Sequence, residues 1–381
     1  MKLAFFTDSY LPNIDGVVSY IVNYKQLFEK MGHEVYIFAP GTKKQKDENK
    51  DPRVHYFSST SFKPYPDYRI ALFPFVSATN MIKEIRPDII HSHGIATTGI
   101  AAFRSAKKIN APAIVSFHTM VSEATHYLTE KKSLQSFLES VAWRYIEWYY
   151  SNFDRVIAPS NFSKTILEKH NIKNVVLKPS GIDTNIFCHE VECEFISKKY
   201  KINGPIVLYV GRLAMEKNLS LLIDAAQKVI NKIPSVKFII GGKGPAEEYY
   251  TNLVKNSGLS ENFIFPGFIP NNELPALYCA ADVFAFPSAF DTQGLVVLEA
   301  MASGTPAVVP KNSAPAEYIN DNENGYCFSD SQDFSEKIIF AIENKARLSR
   351  NAVITAKKYD LKICAKDMID FYENLLKGRN K

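Results

Sequence analysis

Short apolar runs rich in β-branched residues alternate with longer amphipathic runs along almost the whole chain. The short runs are typical of strands buried in a parallel sheet, and the longer runs of helices that cover its faces. The strand-like runs are 2–7, 34–39, 89–92, 113–117, 155–158 and 174–178 in the first half, and 206–210, 236–241, 262–266, 283–286 and 306–309 in the second. This alternation predicts an α/β fold with two successive doubly wound, Rossmann-like parallel sheets.

The length of 381 residues also favours two domains, since one domain commonly holds roughly 100–200 residues. A polar stretch at 188–201 interrupts the alternation, so we place the linker near 179–205. The predicted domains are 1–180 and 181–360. Two such domains facing each other put a crevice at the carboxyl ends of both sheets, where ligands bind in folds of this kind.

Charge is unevenly divided between the two halves. Residues 1–180 hold 23 Lys and Arg against 16 Asp and Glu, a net +7, which leaves 22 against 24, a net −2, for the rest. This excess is too small and too diffuse for a dedicated nucleic-acid-binding protein. It suits contact between the first half and an anionic surface.

Cysteine usage and the apolar runs favour a reducing, cytoplasmic location. No apolar run approaches the roughly 20 residues that span a bilayer, and the apolar start at 3–6 is too short for a signal peptide. Cys188 and Cys193 are close enough to pair, although a disulfide or zinc site there is the less favoured alternative. The other cysteines are Cys279, Cys327 and Cys364.

A polar turn with a glycine follows the predicted strand 283–286, and a helical pattern begins directly after it. Amide groups in the first turn of a helix have no partner within the helix, so those at this end can hold a phosphate. They belong to Gly294, Leu295 and Val296. Asp291 precedes the helix and Glu299 lies one turn inside it, which suits one carboxylate on a sugar hydroxyl and the other on a ribose.

This segment resembles the E-x7-E signature of the retaining GT-B glycosyltransferases, a family that includes sucrose synthases, mannosyltransferases and glycolipid synthases. The string Gly-Leu-Val-Val-Leu-Glu-Ala-Met-Ala-Ser-Gly-Thr-Pro at 294–306 carries the likeness. The resemblance implies that Asp291, which stands in place of the first glutamate, contacts the donor sugar and that Glu299 contacts the nucleotide ribose. It also makes Gln293 a donor-binding candidate. The alternative for the acids is a structural role beside a core helix.

The resemblance extends to the GT-B fold, with two doubly wound domains facing across a crevice. It further implies that the helical pattern at 361–376 packs back on the first domain, so that 361–381 joins residues 1–180.

Two cations follow the predicted strand 206–210, in the string Gly-Arg-Leu-Ala-Met-Glu-Lys-Asn. Arg212 and Lys217 bracket the start of the next helix, where a guanidinium and an ammonium neutralise a leaving diphosphate. The resemblance implies the same role. Basic side chains that only face solvent are the alternative.

Glycine turns follow two more strands of the second half, at 241–245 and 265–270. Both are similar to loops of the family, and the counterpart of the second lines the base pocket. Backbone groups at Phe268 and Ile269 are therefore candidates to read a uracil edge. Connectors without ligand contact are the alternative.

The first half contributes a glycine and a histidine after predicted strands. Gly16 opens a helix and lets the backbone approach donor phosphates or sugar closely, unless it merely eases a tight turn. The resemblance implies that His118 faces the donor sugar and that His91 and His93 support the crevice. We expect no metal and no cofactor, because neither a D-x-D nor an H-E-x-x-H pattern is present.

The acceptor is indicated by the string at 118–127. Together with 6–17 and 292–294, it resembles the branch of diacylglycerol glucosyltransferases and sulfoquinovosyltransferases. This resemblance makes Glu123, His126 and Tyr127 candidates for acceptor binding.

A helical pattern at 133–150 adds a physical argument for a lipid acceptor, because it combines an apolar stripe with both tryptophans, Trp143 and Trp148. The stripe consists of Leu134, Phe137, Leu138, Val141, Tyr145 and Trp148. Basic residues lie nearby, at Arg104, Lys107, Lys108, Lys131 and Lys132. Such a surface favours a membrane interface, and a core helix packed on the sheet is the alternative.

These observations predict a retaining, metal-independent transferase that moves a hexose from a nucleotide-diphosphate sugar of the UDP-glucose type to a lipid such as diacylglycerol. The predicted location is the inner face of the cell membrane, with the first domain in peripheral contact with anionic lipid. Transfer to a soluble sugar or other small acceptor is the first alternative. A nucleotide-sugar epimerase lacks these acid and cation pairs, and a non-catalytic nucleotide-sugar-binding protein is the alternative of another class.

Overall fold

The computed structural model describes residues 1–13, 15–62, 65–120 and 132–379. Contacts divide the chain into two compact units. The first is Met1–Ser180 together with Cys364–Lys381, and the second is Gly181–Ile363. Each unit has its own parallel sheet and its own apolar core.

The described part of the first sheet has eight strands in the order β4-β3-β2-β1-β5-β6-β7-β8. They are β1 (Lys2–Phe6), β2 (Glu34–Gly41), β3 (Val54–Phe62), β4 (Tyr65–Ala71), β5 (Ile89–Ser92), β6 (Ala113–Ser116), β7 (Arg155–Ala158) and β8 (Val175–Leu177). Strand β4 pairs antiparallel with β3, and the other pairs are parallel. The strand order reverses between β1 and β5.

Helices cover both faces of this sheet, which is why its inner strands β1, β5, β6 and β7 are buried at almost every position. They are α1 (Gly16–Lys30), α2 (Lys43–Glu48), α3 (Phe75–Ile85), α4 (Thr97–Ile109), α5 (Lys132–Tyr150) and α6 (Asn161–Lys169). Ala4 and Phe6 of β1 join the core formed with α3 to α6, whereas Phe5 points the other way and contacts Phe28 of α1. This alternation follows from the two-residue period of a strand.

The second sheet has six described strands in the order β11-β10-β9-β12-β13-β14, all paired in parallel. They are β9 (Ile206–Val210), β10 (Lys237–Gly241), β11 (Phe263–Gly267), β12 (Val283–Ala285), β13 (Ala307–Pro310) and β14 (Gly325–Phe328). The helices are α7 (Glu194–Tyr200), α8 (Leu219–Lys232), α9 (Glu247–Asn256), α10 (Leu274–Ala280), α11 (Leu295–Ala302), α12 (Ser331–Glu343) and α13 (Lys345–Lys357). The order reverses between β9 and β12.

The last helix, α14 (Leu361–Arg379), begins in the second unit and continues in the first. Tyr372 of this helix lies with its hydroxyl 2.6 Å from Nδ1 of His91, at the end of β5. Arg379 donates to both carboxylate oxygens of Asp154, each at 2.8 Å. These contacts attach the end of the chain to the first sheet.

The prediction of an α/β fold with two parallel sheets is confirmed, and each predicted strand overlaps an observed one. Strands β3, β4 and β14 were not predicted. Strand β3 is rich in serine and threonine, β4 includes a proline and two charged residues, and β14 begins with glycine and follows a polar segment. The charged segment at 43–50 contains α2, which spans Lys43–Glu48. Thr42 and Gln45 form a capping box that starts this helix despite its polarity.

Two further features bear on the sequence predictions. Among the described helices, none is both long and apolar enough to cross a bilayer. None of the five cysteines forms a disulfide, and Cys193 lies against Cys279 rather than Cys188.

Candidate functional site

The candidate donor site begins at the carboxyl ends of β9 and β12, where the order of the second sheet reverses. Ligands of doubly wound sheets bind at such a point because the neighbouring loops diverge there. Arg212 and Lys217 follow β9, and Asp291 follows β12. The structure thus places the predicted cations and the first acid in the segments that follow two adjacent strands.

Lys217 and Asp291 form an ion pair, with 2.9 Å between Nζ and Oδ1. Their side chains are only 16% and 21% exposed, so the pair is largely shielded from solvent. The other carboxylate oxygen of Asp291, Oδ2, is buried and has no hydrogen-bond partner among the described residues. Because a buried oxygen without a partner is costly, this atom is suited to accept a hydrogen bond from a ligand hydroxyl.

The Arg212 segment is held by backbone contacts with the glycine turn after β10. The amide of Leu213 donates to the carbonyl of Lys243 at 3.0 Å, and the amide of Ala246 donates to the carbonyl of Leu213 at 2.9 Å. A Cβ on Gly242 or Gly244 would collide with carbonyl oxygens of this segment. The turn at 241–245 therefore needs glycine because it packs closely against the cation-bearing loop.

Helix α11 presents its first turn at the same edge of the sheet. Its N-cap residue, Gly294, has a φ of 75°, and in the described structure no side chain caps this end of the helix. The amides of Leu295 and Val296 lie in the first turn, where the helix itself supplies no acceptors. Gln293, just before the helix, is buried. The predicted anion-binding end is therefore a real helix N-terminus.

Glu299 lies one turn further along α11. Tyr278 of α10 donates its hydroxyl hydrogen to Oε2 of Glu299 at 2.9 Å. Burial raises the pKa of Glu299 to about 7, and the hydrogen bond from Tyr278 acts in the opposite direction. The carboxyl is thus fixed in place and close to its titration point at neutral pH.

The two candidates for base contact differ in their surroundings. Phe268 is 51% exposed, whereas Ile269 is buried with its side chain directed toward Gly241. Only backbone groups of Ile269 are therefore suited to contact a base, and the role of this loop stays a prediction.

In the first unit, the loop between β1 and α1 is built around Asp15. Its carboxylate accepts from the amide of Val18 and from the hydroxyl of Ser9, both at 2.8 Å. A Cβ placed on Gly16 would meet no heavy atom of the described residues within 4 Å. Contacts with the described part of the chain therefore do not require glycine at this position.

His91, His93 and His118 lie together. His91 belongs to β5, His93 directly follows that strand, and His118 follows β6. Nδ1 of His93 is 3.0 Å from Nε2 of His118, and the rings of His91 and His93 have centroids 4.1 Å apart. Burial lowers the pKa of His118 to about 4 and places the pKa values of His91 and His93 well below 6.5. The cluster is therefore uncharged at neutral pH.

Two residues near these sites were not identified from the sequence. Tyr278 is brought to Glu299 by packing of α10 against α11. Asp8 is buried and accepts from the amides of Ile95 and Ala96 at 2.7 and 2.9 Å and from the hydroxyl of Thr98. Asp8 thus caps the start of α4, whose own N-cap residue is alanine, from a distant part of the chain.

The predicted acceptor residues Glu123, His126 and Tyr127 lie outside the described residues. Within the part of the chain that the structure describes, no group of three or more His, Cys, Asp or Glu side chains is arranged to hold a metal ion.

The fold defines the class of this protein. The solved structure of HepE from Anabaena in complex with UDP has a TM-score of 0.77, with 19% sequence identity and coverage of 98% of this chain and 100% of that one. The two parallel-sheet α/β domains are those of the GT-B glycosyltransferases.

Two sequence matches show the family to which this chain belongs. Residues 14–186 match Glycosyltransferase Family 4, and residues 193–359 match Glycosyl transferases group 1. The chain therefore belongs to the glycosyltransferases that combine these two domains, and the resemblance stated from its motifs is confirmed.

Three curated relatives illustrate the branch. Alpha-monoglucosyldiacylglycerol synthase of Acholeplasma laidlawii is 29% identical, over 100% of this chain and 99% of its own. A GDP-mannose-dependent alpha-mannosyltransferase of Corynebacterium glutamicum is 27% identical, over 94% of this chain and 84% of its own. Sulfoquinovosyl transferase SQD2 of Arabidopsis thaliana is 28% identical, over 85% of this chain and 62% of its own.

Proposed function

We propose that this protein is a retaining, metal-independent hexosyltransferase that moves a sugar from a nucleotide diphosphate of the UDP-glucose type to a lipid acceptor such as diacylglycerol. The observation that carries the proposal is the Lys217–Asp291 ion pair at the point of strand-order reversal, with one carboxylate oxygen of Asp291 left unsatisfied. The name of the Acholeplasma relative supports the sugar and the acceptor.

In the proposed donor complex, the diphosphate lies between the cations and the start of α11. Arg212 binds it through its planar fork and Lys217 as a point charge, while the first-turn amides of α11 add further donors. Asp291 accepts from a sugar hydroxyl through Oδ2, and Glu299 accepts from the ribose hydroxyls. Phe268 and Ile269 border the base, and Gln293 supports the loop.

The transfer breaks the bond between the anomeric carbon and the diphosphate oxygen and forms a bond to the acceptor hydroxyl on the same face. The leaving diphosphate gains negative charge, which Arg212, Lys217 and the helix start stabilise. The hydroxyl proton passes to the departing diphosphate. Because Asp291 is already paired with Lys217, it is assigned to positioning and not to covalent attack.

The same groups support a reaction without a metal ion. Two cations and a helix N-terminus supply the positive charge that a divalent cation would otherwise provide at the diphosphate.

The exposed face of α5 supports peripheral contact with an anionic membrane through the first unit. Five apolar side chains on it are between 36% and 63% exposed, namely Leu134, Phe137, Val141, Tyr145 and Trp148. The opposite face of the helix is buried in the core through Trp143, Ile146 and Tyr149. The helix thus packs on the sheet with one face and exposes an aromatic stripe on the other. A role in the core and a role at a membrane interface are therefore compatible.

Basic and apolar neighbours extend this surface. The guanidinium of Arg104 lies 5.0 Å from the ring of Phe75, at the start of α3, and Phe103 of α4 contacts Trp148 edge to face. Nearby, Phe73 and Val76 are 84% and 73% exposed. Apolar side chains among basic ones suit the interface of an anionic bilayer, such as the inner face of the cell membrane.

One assay tests the proposal directly. Purified full-length protein is incubated with UDP-glucose, UDP-galactose and GDP-mannose in turn, together with detergent-dispersed diacylglycerol, and products are identified by mass spectrometry. We expect a hexosyl-diacylglycerol whose anomeric configuration, read by NMR, equals that of the donor. Inversion contradicts the mechanism, transfer only to free sugars contradicts the lipid acceptor, and binding of UDP without any transfer identifies a non-catalytic protein.

A further inference from the structure

We propose that His93 is a positioning residue, which donates its Nδ1 hydrogen to Nε2 of His118 and thereby fixes His118 as the Nδ1-protonated tautomer. The inference rests on the proposed function, because the role of His118 toward the donor sugar comes from the family resemblance. The hydrogen-bond assignment itself depends only on the first unit.

His93 is held in one place. It follows β5, is 5% exposed, and its ring lies 4.9 Å from that of Phe5 and 5.2 Å from that of Tyr20, centroid to centroid. Its Nδ1 is 3.0 Å from Nε2 of His118, a normal hydrogen-bond distance. A ring packed on several sides cannot turn to exchange its two nitrogens.

The direction of this hydrogen bond follows from the other nitrogen of His93. A neutral imidazole carries one hydrogen, so either His93 donates through Nδ1 or His118 donates through Nε2. In the second case His93 must carry its hydrogen on its own Nε2. That atom is buried and has no hydrogen-bond partner among the described residues. A buried N–H without an acceptor is rarer in proteins than an unsatisfied acceptor, which favours donation from Nδ1 of His93.

The neighbouring His91 leaves this arrangement undisturbed. His91 stacks on His93, but its two nitrogens are engaged elsewhere, with the hydroxyl of Tyr372 at 2.6 Å and that of Ser116 at 2.8 Å. Burial keeps the pKa values of all three rings below neutrality, so a doubly protonated ring does not complicate the assignment. His118 therefore accepts at Nε2 and carries its hydrogen at Nδ1.

The consequence for catalysis is a single donor atom with a fixed direction. A free imidazole exchanges its hydrogen between the two nitrogens and prefers neither strongly enough to define one contact. In the fixed tautomer, His118 carries its N–H group at Nδ1 and not at Nε2, so the position of its one hydrogen-bond donor is defined.

The tautomer is read by long-range proton–nitrogen correlation NMR on full-length protein labelled with ¹⁵N-histidine at pH 7.5, with His118 assigned from a His118→Gln sample. Two variants form a matched pair. In His93→Asn the side-chain amide keeps an N–H donor near the position of Nδ1, whereas His93→Leu removes it.

We expect Nδ1-protonated His118 in the parent and in His93→Asn, and an altered tautomer distribution in His93→Leu. Loss of one hydrogen bond predicts a fall in kcat/KM of about tenfold for His93→Leu, with His93→Asn close to the parent. The Kd for UDP should stay the same in both, since the groups proposed to bind UDP belong to the second unit.

Nε2-protonated His118 in the parent overturns the assignment, as does an unchanged tautomer in His93→Leu. An altered tautomer without loss of rate, or an equal loss in both variants, overturns the positioning role. Absence of transfer by the parent protein contradicts the proposed function instead, and the NMR result still decides which nitrogen of His118 carries the hydrogen.

Discussion

Tyr278 donates a hydrogen bond to Glu299 at 2.9 Å, yet burial keeps the pKa of that carboxyl at about 7. The group proposed to bind the ribose therefore titrates near neutral pH. Binding of hydroxyl donors favours the carboxylate over the protonated acid, so nucleotide binding and loss of this proton are linked.

Affinity for UDP should consequently rise with pH through the pKa of Glu299. Below pH 7 the acid must first lose its proton, and above it the carboxylate is already present. We expect an increase of about fivefold to tenfold between pH 6 and pH 8, measured by calorimetry. Glu299→Gln is the control that removes this titration while UDP itself still titrates, and an identical pH profile in that variant contradicts the linkage.

The two acids should differ in their effect on nucleotide binding. Because UDP contains the ribose but not the hexose, Glu299→Ala should weaken its binding more than Asp291→Ala does, by calorimetry at fixed pH. Asp224→Ala, at an exposed position on α8, serves as the control. The reverse order would exchange the roles of the two acids.

The cations should govern turnover. Arg212→Ala or Lys217→Ala removes charge from the leaving diphosphate, and we expect a loss of kcat of about 100-fold or more in either. Lys232→Ala, at an exposed position on α8, should leave the rate unchanged. Full activity in a cation variant refutes the diphosphate role of that residue.

Chelation should have little effect on the rate. If Arg212, Lys217 and the start of α11 neutralise the diphosphate, an excess of EDTA leaves hexosyl transfer largely intact. Product is measured by mass spectrometry with and without EDTA, and with Mg²⁺ restored. A strict requirement for Mg²⁺ counts against the metal-independent mechanism.

The exposed stripe of α5 should control membrane contact. Sedimentation with anionic liposomes at low salt is expected to recover the parent protein and markedly less of the double variant Phe137→Ser with Trp148→Ser. Phe340→Ser is the control, because Phe340 is 44% exposed but belongs to the second unit. Equal binding by all three proteins, or none by the parent, excludes α5 as the contact surface.

The sequence predicted the inner strands well because both faces of each sheet are covered. Strand β9 shows this, since all five of its residues from Ile206 to Val210 are buried and its sequence is apolar without interruption. Strand β3 behaves differently. It pairs with the outer strand β4, and its second half, Ser58–Phe62 in sequence, is too polar to stand out by hydropathy.

The candidate site also contains residues that the sequence identified and contacts that it did not. Arg212, Lys217 and Asp291 were identified because each closely follows a strand, which a linear pattern can reveal. Their pairing depends on which strands are neighbours, and β9 and β12 are far apart in the chain. The contact of Tyr278 with Glu299 depends on how two helices pack, so no local sequence pattern predicts it.

The return of α14 to the first sheet has a consequence for synthesis of the protein. The hydroxyl that contacts His91 belongs to Tyr372, which follows all described strands of the second sheet in the chain. During translation, the second sheet is complete before the first has received its last helix. The first unit therefore lacks this helix, and exposes the surface that the helix later covers, until the second sheet has been synthesised.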